Sequence, residues 1–249
     1  MNRNFSGKRN RYYVKQFAIV GDSISTLAGY NPAGYRVFYM AENFGKSGVA
    51  QLSDTWWYNV ISYFGGRLLI NNSWSGSRVT KLPGSVGLFP SGCSDERTSA
   101  LHIGHIRPDV IIVYLGTNDW ASGVKLVDGS EISGKDRNEF FRYAYDNMLK
   151  KLILNYPDSE IWCCTLSQTY ISKDPGFIFP CSYAGIHIEE YNEIIRELVQ
   201  KNRCHLIDLY AYRTPYDSID GIHPVRSGMR LIAEMVIRSM TDTEGIENI

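Results

Sequence analysis

An excess of charge of either sign is missing from this sequence. Lys and Arg number 26, Asp and Glu also 26, so the formal net charge is zero. No basic excess pulls on phosphates and no acidic tail is present, so no nucleic-acid partner is expected. Long apolar runs are missing too: no segment approaches the roughly 18 apolar residues of a membrane span. The basic start, MNRNFSGKRNRYYVKQFAIV, is followed by no extended apolar region or small-residue cleavage site, so it does not read as a secretory leader. Cysteine is scarce. Cys93, Cys163, Cys164, Cys181 and Cys204 are odd in number and share no framework spacing, which fits reduced thiols and a cytoplasmic location. Metal-ligand patterns are lacking as well. Cys163 and Cys164 fall in an expected strand, where successive side chains point to opposite faces. His102 and His105 could share a helix face, but no carboxylate or Cys pair accompanies them. Neither metal nor cofactor is expected.

What is present is an ordinary soluble composition: 249 residues, 44% apolar and 21% charged. No linker, repeat or charge block divides the chain, so one domain over residues 1–249 is expected, with its core over about 14–240. Five short apolar runs read as strands: Val14 to Val20, Arg67 to Asn71, Asp109 to Leu115, Glu160 to Leu166 and His205 to Leu209. The run IIVYL is β-branched and aromatic throughout, as in a strand buried on both faces. Helical patterns lie between them. Ser53-Asp54 can cap TWWYNVISYF, which ends at Gly65-Gly66. Phe141, Ala144, Tyr145, Met148, Leu149 and Leu152 recur at three- and four-residue steps. Ile188, Tyr191, Ile195, Leu198 and Val199 do the same, as do Leu231, Met235 and Val236. Strands alternating with helices predict a mainly parallel, doubly wound α/β sheet.

In such sheets ligands bind beyond the carboxyl ends of the strands. Four polar clusters fall in or near that place: Gly21-Asp22-Ser23, Asn71 to Gly76, Gly116-Thr117-Asn118-Asp119, and Asp220-Gly221-Ile222-His223-Pro224. Each has a plain structural reading. Ser23 can cap a helix, Gly76 can be a turn glycine, the third cluster can be an ordinary strand-to-helix loop, and His223 can sit in a surface turn. All four in this order are harder to dismiss.

Their wording, "IVGDSIS", "NNSWSGSRV", "YLGTND" and "DGIHP", resembles the SGNH hydrolases, also called the GDSL esterase/lipase superfamily, over Phe17 to about Met240. Ile24 departs from the Leu of the family name and is a mild apolar change. The resemblance implies a three-layer α/β/α sandwich with a mainly parallel five-stranded, flavodoxin-like sheet. It implies Ser23 as nucleophile, His223 as base and Asp220 as the acid that orients it, with Asp217 a rival. It implies an oxyanion hole of the Ser23 and Gly76 backbone N–H groups and the Asn118 side-chain amide. Asp22 and Asp119 are assigned to structure.

The long loops Tyr30–Leu52, Leu82–Arg97, Trp120–Arg137 and Ser167–Gly185 carry many aromatics, among them Tyr35, Phe38, Tyr39, Phe177, Phe179 and Tyr183. Aromatic faces stack on sugar rings, and no aliphatic stretch announces a lipid tunnel. A serine esterase acting on short-acyl, above all acetyl, esters of a carbohydrate or another small polar alcohol is expected, with Trp120 as a pocket wall. The alternatives are a lipase or lysophospholipase, an acyl-thioesterase, and a catalytically silent binding module on the same scaffold.

Overall fold

The computed structural model describes residues 10–82, 89–127 and 136–242. The basic amino-terminal stretch and parts of the loops 82–97 and 120–137 lie outside them. In chain order the strands are β1 (Gln16–Gly21), β2 (Arg67–Ser73), β3 (Val110–Tyr114), β4 (Glu160–Cys164), β5 (Thr169–Tyr170), β6 (Ser182–Tyr183), β7 (Ile186–His187), β8 (His205–Ile207) and β9 (Tyr216–Asp217). The helices are α1 (Ala41–Ser47), α2 (Trp56–Tyr63), α3 (Asp95–Ser99), α4 (Thr117–Ala121), α5 (Phe141–Asn155), α6 (Ile188–Lys201) and α7 (Arg226–Asp242).

Five strands form one parallel sheet in the order β2-β1-β3-β4-β8. This is the flavodoxin-like winding, with its reversal of direction between β1 and β3. Period-two alternation sorts the side chains onto two cores. Phe17 and Ile19, with Val110, Ile112 and Tyr114, face Trp56, Trp57 and Val60 of α2 and Met229, Ile232 and Val236 of α7. Ala18 and Val20, with Ile111 and Val113, face Phe141, Tyr145 and Met148 of α5 and Tyr191, Ile195 and Leu198 of α6. Cys163 falls in the second core and Cys164 in the first, so the pair cannot share a ligand.

Three local expectations are corrected. The first strand starts at Gln16, because Val14 sits in a turn with φ 57° and its N–H bonds the Gly65 carbonyl at 2.9 Å. The cap of α2 is Thr55, whose hydroxyl accepts from Tyr58 N–H; Asp54 instead takes the N–H groups of Ala50 and Gln51. His102 and His105 share no helix face. His102 precedes, and His105 lies within, an exposed turn closed by an Ile103–Ile106 bridge.

Two short pairings shape the loops above the sheet. β5 pairs with β9, tying the loop after β4 to the segment that leads into His223. β6 and β7 form a small hairpin that delivers the chain into α6. Among the described residues, no helix is long and apolar enough to cross a membrane, and no group of three His, Cys, Asp or Glu side chains is placed to hold a metal ion.

Candidate active site

The carboxyl ends of β1, β2 and β3 deliver three of the four clusters to one rim of the sheet. β1 ends at Gly21, and Ser23 opens a single 3-10 turn, Ser23–Ser25. Ser23 is not the cap of that turn. Asp22 is, its Oδ1 accepting from Ile24 N–H at 3.0 Å. Ser23 is therefore free of a capping role, and its hydroxyl faces His223: Nε2 to Oγ is 2.8 Å.

His223 arrives from the far end of the chain on a turn that is bound on several sides. Ser218 bridges Pro224, Thr169 Oγ1 donates to Gly221 O at 2.7 Å, and Tyr216 Oη donates to Ile222 O at 2.8 Å. Gly221 has φ +86°, and a Cβ there would meet the Phe177 ring at 2.6 Å, so only glycine fits. Asp220 folds back on this turn. Its Oδ2 lies 2.8 Å from His223 Nδ1, while its Oδ1 accepts from the backbone N–H groups of Ile222 and His223. The rival Asp217 points elsewhere and takes the Ser172 N–H at 2.9 Å. Partial burial pushes the Asp220 carboxyl up, but its bonds to the His223 ring and to the two backbone donors outweigh this and leave it below the ordinary carboxylate range. The imidazole also stacks on Phe38, with ring centroids 3.5 Å apart and planes 4° from parallel. One edge is thus bonded to Asp220, the other to Ser23, and one face is covered. Phe38 stood out in the sequence only as a loop aromatic; nothing there marked it as a partner of the histidine.

The third corner is built from the loop after β2 and from α4. Gly76 is exposed with φ +83°, and a Cβ would meet nothing within 4 Å. Its backbone conformation, not crowding by the protein, calls for glycine. Asn118 lies in the first turn of α4, and its Nδ2 donates to Ser77 O at 2.9 Å. An amide nitrogen carries two hydrogens, so one remains for a ligand. Asp119, the next residue, is buried and accepts from Val79 N–H at 2.8 Å, Thr80 N–H at 3.0 Å and Thr80 Oγ1 at 2.7 Å. It latches the Gly76 loop to α4.

Asp22 is buried as well, yet its Oδ2 meets no donor among the described residues. Burial pushes its carboxyl up to about 6, against the pull of the Ile24 N–H and of the neighbouring His223 and Arg97. Trp120, expected as a pocket wall, is only 1% exposed. Phe179 stacks on it at 5.3 Å and Tyr183 meets it edge-on at 4.8 Å. It backs the loop wall from behind rather than lining the opening. Tyr39 and Tyr216 are likewise core residues.

A family model described as GDSL-like Lipase/Acylhydrolase matches residues 15–240. The chain belongs to this family. Among solved structures, it is similar to one named a GDSL-like lipase from Bacteroides ovatus, at 27% identity and a TM-score of 0.71, covering 92% of this chain and 99% of that one. A second so named, from Bacteroides uniformis, shares 26% identity with a TM-score of 0.70 over 92% and 96% of the two chains. A carbohydrate acetylesterase from Sinorhizobium meliloti shares the fold at 14% identity, with a TM-score of 0.61 over 92% and 99%. No curated protein matches this chain in sequence. The GDSL-like block thus has a place in the fold: it is the β1 end and the 3-10 turn that carries Ser23.

Proposed function

We propose that the protein is a serine esterase that removes short acyl groups, acetyl foremost, from a carbohydrate or another small polar alcohol. The observation that carries this reading is the continuous line Ser23 Oγ–His223 Nε2–Nδ1–Asp220, with both contacts at 2.8 Å. A serine hydroxyl is a weak nucleophile until a base removes its proton. His223 Nε2 takes that proton as Oγ attacks the ester carbonyl, and Asp220 holds the ring with Nδ1 protonated. The carbonyl oxygen becomes an oxyanion, received by the Ser23 N–H, the Gly76 N–H and the free hydrogen of Asn118 Nδ2. Each such donor is worth roughly 10²–10³ in kcat. His223 then returns the proton to the leaving alcohol, and water repeats the sequence on the acyl-enzyme.

The small-acyl reading draws on the rim, where Phe38, Tyr35, Phe177 and Phe179 are only partly buried and present ring surface. That the fold accommodates a carbohydrate acetylesterase is an analogy at the level of the scaffold alone. A longer-acyl, lipolytic or thioester reading draws on an apolar pocket lined by Leu27, Tyr39, Met40, Phe44 and Val49. A chain-length series of p-nitrophenyl esters, followed by acetylated sugars, separates the two. We expect kcat/KM to be highest for acetyl and to fall with each longer chain; a maximum at eight carbons or more would replace this reading with the second. The Ser23→Ala protein should stay folded and lose about 10⁴-fold or more in kcat. Full activity in that variant would remove the mechanism.

A further inference from the structure

Arg97, the last residue of the long loop Leu82–Arg97 in the sequence, lies in α3, Asp95-Glu96-Arg97-Thr98-Ser99. In the structure the side chain points inward and is 0% exposed. Its guanidinium carries five N–H groups, and all five are used on neutral acceptors. Nε donates to Asn72 Oδ1 at 2.5 Å. Nη1 donates to Ser77 Oγ at 2.8 Å and to Pro90 O at 3.4 Å. Nη2 donates to Asn72 O at 2.7 Å and to Gly21 O at 3.2 Å. No carboxylate lies within ion-pair distance of it among the described residues. Burying a cation without a counter-ion is costly. Burial lowers the guanidinium pKa to about 10, so it remains charged at neutral pH.

We propose that Arg97 is a positioning residue of the esterase site, gripping at one point the two backbone segments that carry the Ser23 and Gly76 donors and, through Ser77, the anchor of the Asn118 amide. This rests on the esterase reading above. Gly21 O is two residues before Ser23. Asn72 is the penultimate residue of β2, which leads into the Gly76 loop. Ser77 follows Gly76, and the carbonyl of the same Ser77 receives Asn118 Nδ2 at 2.9 Å. Every donor is therefore one or two links from the guanidinium. The grip has a firm base, because α3 is itself held to α5. Lys151 pairs with Asp95 at 2.8 Å, Asn155 Nδ2 donates to Thr98 O at 3.0 Å, and Tyr156 Oη donates to Ser99 O at 2.7 Å. Arginine is required for the geometry: a planar fork reaches both strand ends and the loop, which the single ammonium of a lysine cannot do. Misplacing donors by about 1 Å costs on the order of 10²-fold in rate.

Two variants test this with p-nitrophenyl acetate as substrate and phenylboronic acid as probe. The boronate adduct on Ser23 is tetrahedral and places an oxygen where the oxyanion forms, so its affinity reports donor geometry. Arg97→Lys loosens the whole grip; Ser77→Ala removes one hydroxyl and leaves the carbonyl that holds Asn118. We expect each to lower kcat about 10–100-fold with KM within twofold, and to raise the boronate inhibition constant by the same factor. A change that only loosened the fold would lower the melting temperature without that matched pair of shifts. A folded variant with wild-type kcat overturns the proposal, as does a loss confined to KM with unchanged boronate affinity. If Arg97→Lys does not fold, Ser77→Ala decides alone. Ser23→Ala separates the two levels: if it remains active, the esterase reading fails, and if it is inactive while Ser77→Ala behaves as wild type, only the role of Arg97 fails.

Discussion

Asp22 and Asp119 stand in matching places. One precedes Ser23 at the end of β1; the other follows Asn118 in α4, and both are fully buried. Their surroundings differ in the number of donors. Asp119 receives three, and both its oxygens are bonded. Asp22 receives one, and Oδ2 is left without a partner among the described residues. Burial pushes both carboxyls above their ordinary value, but only at Asp119 do three close donors oppose it. A buried carboxylate with its donors satisfied is a fastener. One with an empty oxygen beside Ser23 is a source of electrostatic strain, which nearby positive charge partly offsets. The sequence gives the two residues the same reading; the donor count separates them.

The largest expected effect comes from removing the fastener. Asp119→Ala leaves the N–H groups of Val79 and Thr80 and the Thr80 hydroxyl buried and unpaired. Each costs about 1–3 kcal/mol, less than additively. A loss of about 3–4 kcal/mol is expected, and for a chain of this size that lowers the melting temperature by about 10 °C. Below that temperature kcat for acetyl esters should also fall, because the Gly76 loop loses its latch to α4. A melting temperature within 2 °C of wild type would end the distinction between the two aspartates.

Asp22→Asn is the intermediate case, and pH reveals it. Below pH 3.8 the Asp22 carboxyl is protonated in folded and unfolded chains alike. As pH rises through 3.8 toward about 6, the unfolded chain releases its proton more readily than the folded one, so the wild type loses stability. The amide does not titrate. The stability of Asp22→Asn relative to wild type should therefore grow between about pH 4 and 7, by on the order of 3 kcal/mol from a shift of about two units. Thermal melts of both proteins across that range measure it, and a constant cost of the amide cancels. A gap that stays flat means that Asp22 keeps an ordinary carboxyl.

Much of this molecule is legible in its sequence. The sheet follows from five apolar runs separated by helical periods, and the motif order brings Ser23, Gly76, Asn118 and the Asp220–His223 turn to one rim. Local patterns carry that information, because strand alternation and turn chemistry are short-range. What is not legible is long-range and polar. Arg97 sits among acids in its sequence, and only folding shows that it is used on Gly21, Asn72 and Ser77. Phe38 becomes a partner of His223 only when segments 185 positions apart meet. Trp120 reads as an exposed wall because it follows the third cluster directly, but Phe179 and Tyr183, some sixty residues on, cover it.

Trp120 supplies the smallest effect and extends the comparison from acceptors to donors. Its Nε1 is buried with no acceptor among the described residues, the counterpart of Asp22 Oδ2. Trp120→Phe removes that orphan, which favours the folded state by about 1–3 kcal/mol, and opens a small cavity of opposing and similar cost. The net change in stability should stay within about 1–2 kcal/mol. Because Phe179 and Tyr183 stand over the indole, kcat and KM for acetyl esters and acetylated sugars should stay within twofold of wild type. A tenfold rise in KM for the sugars alone would return Trp120 to the wall of the binding cleft and show that Phe179 and Tyr183 part when substrate binds.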